Sequence, residues 1–139
     1  MSFSGSLDAF STDVDPQIDS GSKSRFIFIP QKAVTRSGWF QSSIWDGALF
    51  GEYSTALGKN VEAAGTASFA VGDSSMAGAD YSIAMGLRNR ISSNSTNTIA
   101  IGIDNRDSSS TFGVLVISQN SIFIGKEHKT NRTYTTLIG

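Results

Sequence analysis

From residue 54 onward, small and apolar positions alternate along short segments that end in glycine. Ser54-Thr55-Ala56-Leu57-Gly58, Ser68-Phe69-Ala70-Val71-Gly72, Ser82-Ile83-Ala84-Met85-Gly86, Thr98-Ile99-Ala100-Ile101-Gly102, Ser121-Ile122-Phe123-Ile124-Gly125 and Thr135-Thr136-Leu137-Ile138-Gly139 all begin with a hydroxyl residue. Successive segments lie 14, 14, 16, 23 and 14 residues apart, a period of 14 interrupted by insertions of two and nine residues. Turn formers cluster at Ser92–Asn97 and Asp104–Ser110, which are therefore expected to be loops on one side of a regular stack. A weaker half-repeat, Val61-Glu62-Ala63-Ala64-Gly65 and then Ser75–Ala79, falls between the strong segments. Alternation with period two predicts strands. Two short strands per period predict one coil of a parallel β-solenoid or β-roll, all-β, with coils of ~14 residues stacked at ~4.8 Å.

The alternation also sorts the side chains into two faces. The hydroxyl residue, the alanine slot and the glycines Gly58, Gly72, Gly86, Gly102, Gly125 and Gly139 share one face. The other carries Leu57, Phe69, Val71, Ile83, Met85, Ile99, Ile101, Ile122, Ile124 and Ile138. Small residues suit the narrow interior of a thin roll, which leaves the aliphatic ladder outside. Burying each such side chain is worth roughly 1.5–3 kcal/mol, and a stripe of this kind is not left in water. Self-association about a rotation axis is the simplest remedy. The reverse assignment, aliphatics inside and small residues at an interface, stays open at this level. Neither assignment sets the number of chains.

Residues 1–24 are rich in Ser, Asp and Gly and hold no repeat, which is expected of an extended N-terminal arm. Their apolar residues Phe3, Leu7, Phe10, Val14 and Ile18 are spaced to dock that arm on a surface. Residues 25–46 differ: Arg25-Phe26-Ile27-Phe28-Ile29 reads as a buried or interface strand stopped by Pro30. Trp39, Phe40 and Trp45 then precede the repeats as a cap on the first coil, which solenoids require, or as docking aromatics. The repeat domain proper occupies residues 47–139.

Composition narrows the partners. The chain has 139 residues, a formal net charge of −1 and no cysteine. That length fits one domain with an arm; that charge gives no reason to expect nucleic acid or an acidic membrane; and disulfides and thiolate metal sites are excluded. Fourteen glycines against two prolines favour tight β architecture over a flexible linker. The start Met1-Ser2-Phe3-Ser4-Gly5 lacks a basic and an apolar region, so export by a signal peptide is not expected.

Candidate chemistry is sparse. His128, the single histidine, stands in Lys126-Glu127-His128-Lys129, which reads as a charged turn rather than as part of a triad. Gly72-Asp73-Ser74 resembles a Gly-Asp-Ser esterase block but is accounted for by the repeat. Gly58-Lys59 and Gly125-Lys126 lack the rest of a phosphate-binding loop. Asp104-Asn105-Arg106-Asp107 lacks the glycine and closing glutamate of a calcium loop and is expected to be solvated. Arg88, Arg90 and Arg106 lie among acids without an aromatic stacking platform. No enzyme activity and no cofactor or metal are expected.

The Ser-x-Ala-x-Gly segments at 14-residue spacing, with Ala-Ala-Gly and Ala-Gly-Ala half-repeats between them, resemble the heads of YadA-type trimeric autotransporter adhesins, over roughly residues 47–139. The resemblance implies a left-handed parallel β-roll and a homotrimer. Similar rolls occur in bacteriophage fibres and other virion proteins. The expected function is a non-enzymatic virion structural protein: a trimeric head fibre, decoration (cement) protein or short tail fibre, anchored through its arm to a capsid or tail protein. The alternative is a bacterial cell-surface adhesin head, extracellular, binding host matrix, glycans or another host receptor. A carbohydrate-active or carbohydrate-binding module using Trp39 and Trp45 is a third reading. Neither nucleic acid nor membrane is expected as a partner.

Overall fold

The computed structural model describes residues 23–41, 50–107, 120–130 and 134–139. The arm residues Phe3, Leu7, Phe10, Val14 and Ile18 lie outside them, as does Trp45. The described chain is all-β apart from one 3-10 turn at Pro30–Lys32.

Strands β1 (Lys23–Ile29) and β2 (Val34–Phe40) form an antiparallel hairpin across that turn. Each following coil then contributes one long and one short strand. The long ones are β3 (Thr55–Lys59), β5 (Phe69–Asp73), β7 (Ile83–Leu87), β9 (Ile99–Ile103), β11 (Ile122–Lys126) and β13 (Thr136–Ile138). The short ones are β4 (Glu62–Ala63), β6 (Met76–Ala77), β8 (Arg90–Ile91), β10 (Arg106–Asp107) and β12 (Lys129–Thr130). They make an eight-stranded sheet, β1-β2-β3-β5-β7-β9-β11-β13, and a five-stranded one, β12-β10-β8-β6-β4. Every pairing after the hairpin is parallel. This is the two-layered arrangement of a β-roll, with like residues stacked on like: Ala56, Ala70, Ala84, Ala100, Phe123 and Leu137 are consecutive partners.

The interior between the sheets is narrow. Ala56, Ala70, Ala84 and Ala100 of the long strands are fully buried against Val61, Ala63, Ala77 and Ile91 of the short-strand side. The small-residue face is therefore the inside, and the reverse assignment is excluded. The hydroxyl residues share that interior: Ser68 Oγ donates to Gly65 O at 2.6 Å and Ser82 Oγ to Ala79 O at 2.6 Å, which satisfies buried carbonyls within each turn.

Both corners of a coil are tight. At one, Tyr53, Ala67, Tyr81, Asn97, Asn120 and Tyr134 take φ between 51° and 59°. Left-handed backbone costs a non-glycine residue about 1–2 kcal/mol. Here it aims each N–H at the preceding coil, as in Ala67 N to Glu52 O at 2.7 Å and Tyr81 N to Thr66 O at 2.8 Å. At the other corner the strand-ending glycine cannot be replaced. Gly72 has φ +124°, and a Cβ there would sit 2.0 Å from Gly86 O of the next coil.

Two sequence expectations change. Asp104-Asn105-Arg106-Asp107 is not a loop: it forms a corner and then strand β10, paired with β8 and β12. Asn105 is fully buried, so the slot it fills in the coil outweighs the turn propensity of its neighbours. The nine-residue insertion therefore falls after Asp107. Second, strand β2 is a further copy of the repeat, with Thr35, Arg36, Ser37 and Gly38 in register with Thr55, Ala56, Leu57 and Gly58. An arginine in the alanine slot hides it in the sequence. The hairpin strand β1 begins at Lys23, two residues inside the segment read as arm.

Candidate functional site

Four surfaces of the roll could carry function: the capped end, the corner, the outer face of the eight-stranded sheet and the outer face of the five-stranded sheet.

At the capped end, Phe40 packs with Val34 and Phe50 under Ile27 and Ile29 as a second apolar cluster. Trp39 is half-buried on the outer side, with Lys59 Nζ 5.8 Å from its ring centre. Arg36 closes the interior. It is 1% exposed and stacks on Phe50 at 5.0 Å. Its guanidinium donates to Thr35 O at 3.1 Å, Ser54 Oγ at 2.8 Å and Ala63 O at 2.6 Å. Burial lowers its pKa to about 10, partly offset by the charge of Glu62. An arginine suits this place because its several donors satisfy carbonyls that the end of a stack leaves open. The strand Phe26–Ile29 is one-sided: Ile27 and Ile29 face the cluster, whereas Phe26 and Phe28 are 70% and 45% exposed.

Along the corner after the long strands, one slot repeats in every coil: Val61, Ser75, Asn89, Asn105 and His128. From Ser75 on it is a polar ladder that sequence reasoning missed. Ser75 Oγ donates to Gly86 O at 2.9 Å. Asn89 Nδ2 donates to Met85 O at 2.6 Å and to Gly102 O at 2.8 Å, while its Oδ1 accepts from Asn105 N at 3.0 Å. Asn105 repeats this toward Ile101 O and Gly125 O, and accepts from His128 N at 3.1 Å. His128 Nε2 ends the series 3.1 Å from Ile124 O and 3.0 Å from Gly139 O, so that nitrogen carries the proton. The signal was present as Gly-x-x-Asn in Gly86–Asn89 and Gly102–Asn105, of which only the stretch from Asp104 on was read, as a loop. His128 is thus built into the stack, and Ser74 Oγ bonds Asp73 Oδ1 at 2.7 Å with no histidine nearby. Among the described residues no group of three or more His, Cys, Asp or Glu could hold a metal ion.

Outside this slot the same corner is lined by charges that alternate between coils. Lys59 Nζ lies 3.3 Å from Asp73 Oδ2, and Arg88 binds Asp104 through both carboxylate oxygens at 2.7 and 2.5 Å. The Arg88 hydrogen bond, then the charges of Arg88 and Arg106, hold the Asp104 carboxyl at about 2. The Ser74 hydrogen bond, followed by Lys59, lowers Asp73.

On the eight-stranded sheet, the ladder residues fall on the outer face. Phe69, Ile83, Ile99 and Ile122 form one column in register; Leu57, Val71, Met85, Ile101, Ile124 and Ile138 form the next. They are half-buried by their own neighbours through Ile101 and open up toward the last coils, where Ile122, Ile124 and Ile138 are 36%, 39% and 72% exposed. The repeat glycines Gly58, Gly72, Gly86, Gly102 and Gly125 stack in register beside them, and Gly139 lies against Gly125.

The coil geometry, the buried Ser and Ala slots and the stacked glycines together define the repeat unit. Residues 63–89 match the YadA head domain repeat in two copies. The matched stretch runs from Ala63 of β4 to Asn89 of the polar slot, and the in-register glycines carry the same coil on both sides of it. No curated protein and no solved structure matches the chain.

The five-stranded sheet turns outward Glu62, Met76, Arg90, Arg106 and Lys129, one per coil. Burial raises the pKa of Glu62, against the pull of Arg90 and Arg36.

Proposed function

We propose that this chain is a non-enzymatic display protein, a β-roll head that self-associates as a homotrimer through the outer face of its eight-stranded sheet. The observation that carries this reading is the double aliphatic column on that face. Ten large side chains stand in register along the stack axis, most exposed at Ile122, Ile124 and Ile138. Exposed apolar columns of that length are covered in stable proteins. A column parallel to an axis is covered most economically by copies of itself related by rotation. Three copies rather than two follow from the likeness to YadA-type heads.

Such a head serves equally as a virion fibre or decoration protein and as a cell-surface adhesin, and both readings share this body. In either, the segment read as an arm, residues 1–24, is the proposed attachment device, and the aromatic cap exposes Phe26 and Phe28. Sedimentation equilibrium at micromolar concentration tests the assembly. Three chains are expected, and Met85→Glu together with Ile101→Glu should yield smaller species. A folded monomer of the unaltered chain would refute the proposal. Mass spectrometry of purified particles, against that of outer-membrane fractions, separates the two carriers.

A further inference from the structure

The two corners of the roll differ at the same backbone position. Residues with φ between 50° and 59° turn the chain at both. At the trailing corner, after the long strands, these are Asn60, Ser74, Arg88, Asp104 and Glu127, all polar. At the leading corner, before the long strands, Tyr53, Tyr81 and Tyr134 take the place that Asn97 and Asn120 fill in other coils. Asparagine adopts left-handed backbone more readily than an aromatic residue. The three tyrosines are also 65%, 61% and 81% exposed, so they pack little against their own chain. Backbone strain and wetted aromatic surface, with no packing gained inside the coil, point to a partner at this edge.

Assembly about the aliphatic columns brings a second copy of the chain to that edge. When the outer face of the eight-stranded sheet turns toward a rotation axis parallel to the stack, its two edges turn toward neighbouring copies. The leading corner of one chain then meets the trailing corner of the next, a heterologous contact that closes a ring. Rotation carries no translation, so coils meet at their own level, and in that register the corners match. Tyr53, preceded by exposed Glu52, comes to the coil of Lys59, and Tyr81, preceded by exposed Asp80, to the coil of Arg88. Where the trailing corner is acidic, at Asp73 and Asp104, the leading corner carries Thr66-Ala67 and Thr96-Asn97, neither charged nor aromatic. A slip of one coil in either direction would set Asp73 against an acid, Asp80 or Glu52, and like charges in contact oppose association.

We infer that Tyr81 of each copy stacks on Arg88 of the next and Tyr53 packs at the next copy's Lys59, a lateral seam that holds the chains parallel and level. Arg88 is prepared for a ring. Asp104 holds it by its edge, through Nε and Nη2, and its side chain is 53% exposed. A guanidinium held by its edge keeps its flat faces for an aromatic partner. The chain makes the same kind of contact within itself, with Arg36 5.0 Å from the Phe50 ring centre and Lys59 Nζ 5.8 Å from that of Trp39. Tyr134, in the coil that carries Gly139, meets no cation at its level and takes no part. The inference rests on the proposed homotrimer and adds to it a contact that is incomplete without the neighbouring copy.

The test uses the full chain, which has no cysteine of its own. Within one chain Tyr81 and Arg88 flank the extended strand β7, ~20 Å apart. A bis-maleimide shorter than that span therefore joins the double variant Tyr81→Cys/Arg88→Cys only between copies. The expected product is a covalent trimer on a denaturing gel, whereas Tyr134→Cys/Arg88→Cys and Tyr81→Cys alone should stay single chains. Sedimentation equilibrium on the same samples, before cross-linking, reports assembly separately. Trimers that do not cross-link, or a covalent dimer from Tyr81→Cys alone, would overturn the seam and leave the homotrimer standing; monomers throughout would overturn both. Tyr81→Asn introduces a residue that this corner already uses, so the coil is kept. It should raise the concentration at the assembly midpoint roughly tenfold, through the three stacked pairs lost per trimer, and Tyr134→Asn should change it less than about twofold. Equal effects of the two would also overturn the proposal.

Discussion

Asn89→Val tests whether the buried polar slot, rather than the thin alanine core, holds successive coils in register. Valine is a fair replacement, because Val61 occupies the same slot in an earlier coil and is fully buried there. Asn89 makes four hydrogen bonds that valine cannot. It donates to Met85 O and Gly102 O at 2.6 and 2.8 Å, and it accepts from Asn105 N and Nδ2 at 3.0 Å each. A buried hydrogen bond contributes about 1 kcal/mol net, and each orphaned buried group costs about 1–3 kcal/mol. The Asn105 amide nitrogen of the side chain keeps Ile101 O and Gly125 O, which limits the damage. Valine recovers roughly 1 kcal/mol of apolar burial. The balance is a loss of about 2–4 kcal/mol, or on the order of 10 °C in melting temperature for a chain of this size. The assay is thermal and urea denaturation followed by circular dichroism, at one fixed protein concentration because assembly is linked to stability. A change of less than about 1 kcal/mol would show that the ladder is incidental and that coil packing alone sets the stack.

Two further changes probe the interior and the corner. Ala84→Leu places a large side chain between Ala70 and Ala100, all fully buried, and should cost about 1–3 kcal/mol per chain as overpacking; an unchanged melting temperature would mean the interior is wider than drawn. Arg88→Gln should raise the Asp104 pKa from about 2 toward the ordinary aspartate range, read by NMR titration of its carboxyl carbon. Because the folded pKa is depressed, this pair's stabilisation is complete above the unfolded aspartate value of about 4 and disappears as pH falls toward 2. The variant should therefore be less stable than the unaltered chain at pH 7, by an amount that shrinks as pH falls below about 4 and is gone below about 2; a difference that stays constant across that range would refute the pairing.

Much of the coil was legible in the sequence because its constraints are local and repeat. Period-two alternation, a glycine at every strand end and a 14-residue spacing each restrict one coil, and their recurrence fixes the stacking of coil on coil. The same logic was misleading where a residue's role depends on the neighbouring coil. Asn105 looked like loop chemistry because Asn, Asp and Ser around it favour turns, yet its amide serves Gly125 of the next coil. Arg36 concealed a copy of the repeat, since its place in the alanine slot depends on partners from other segments, Ser54 Oγ and Ala63 O, that the guanidinium reaches only in the folded stack.

Which face lies inside could not be read from alternation, because alternation is symmetric between its two faces. The tertiary structure decided it through the width of the gap between two sheets, which admits alanine at Ala56, Ala70, Ala84 and Ala100 and leaves the large aliphatics outside. The column of Arg90, Arg106 and Lys129 likewise came only from register. These residues are spread over 40 positions of chain, with irregular intervals, and become neighbours because the strands on either side of the insertions pair in step. Sequence alone thus determined the repeating unit, whose causes are local, and the stack determined everything that depends on what one coil meets in the next.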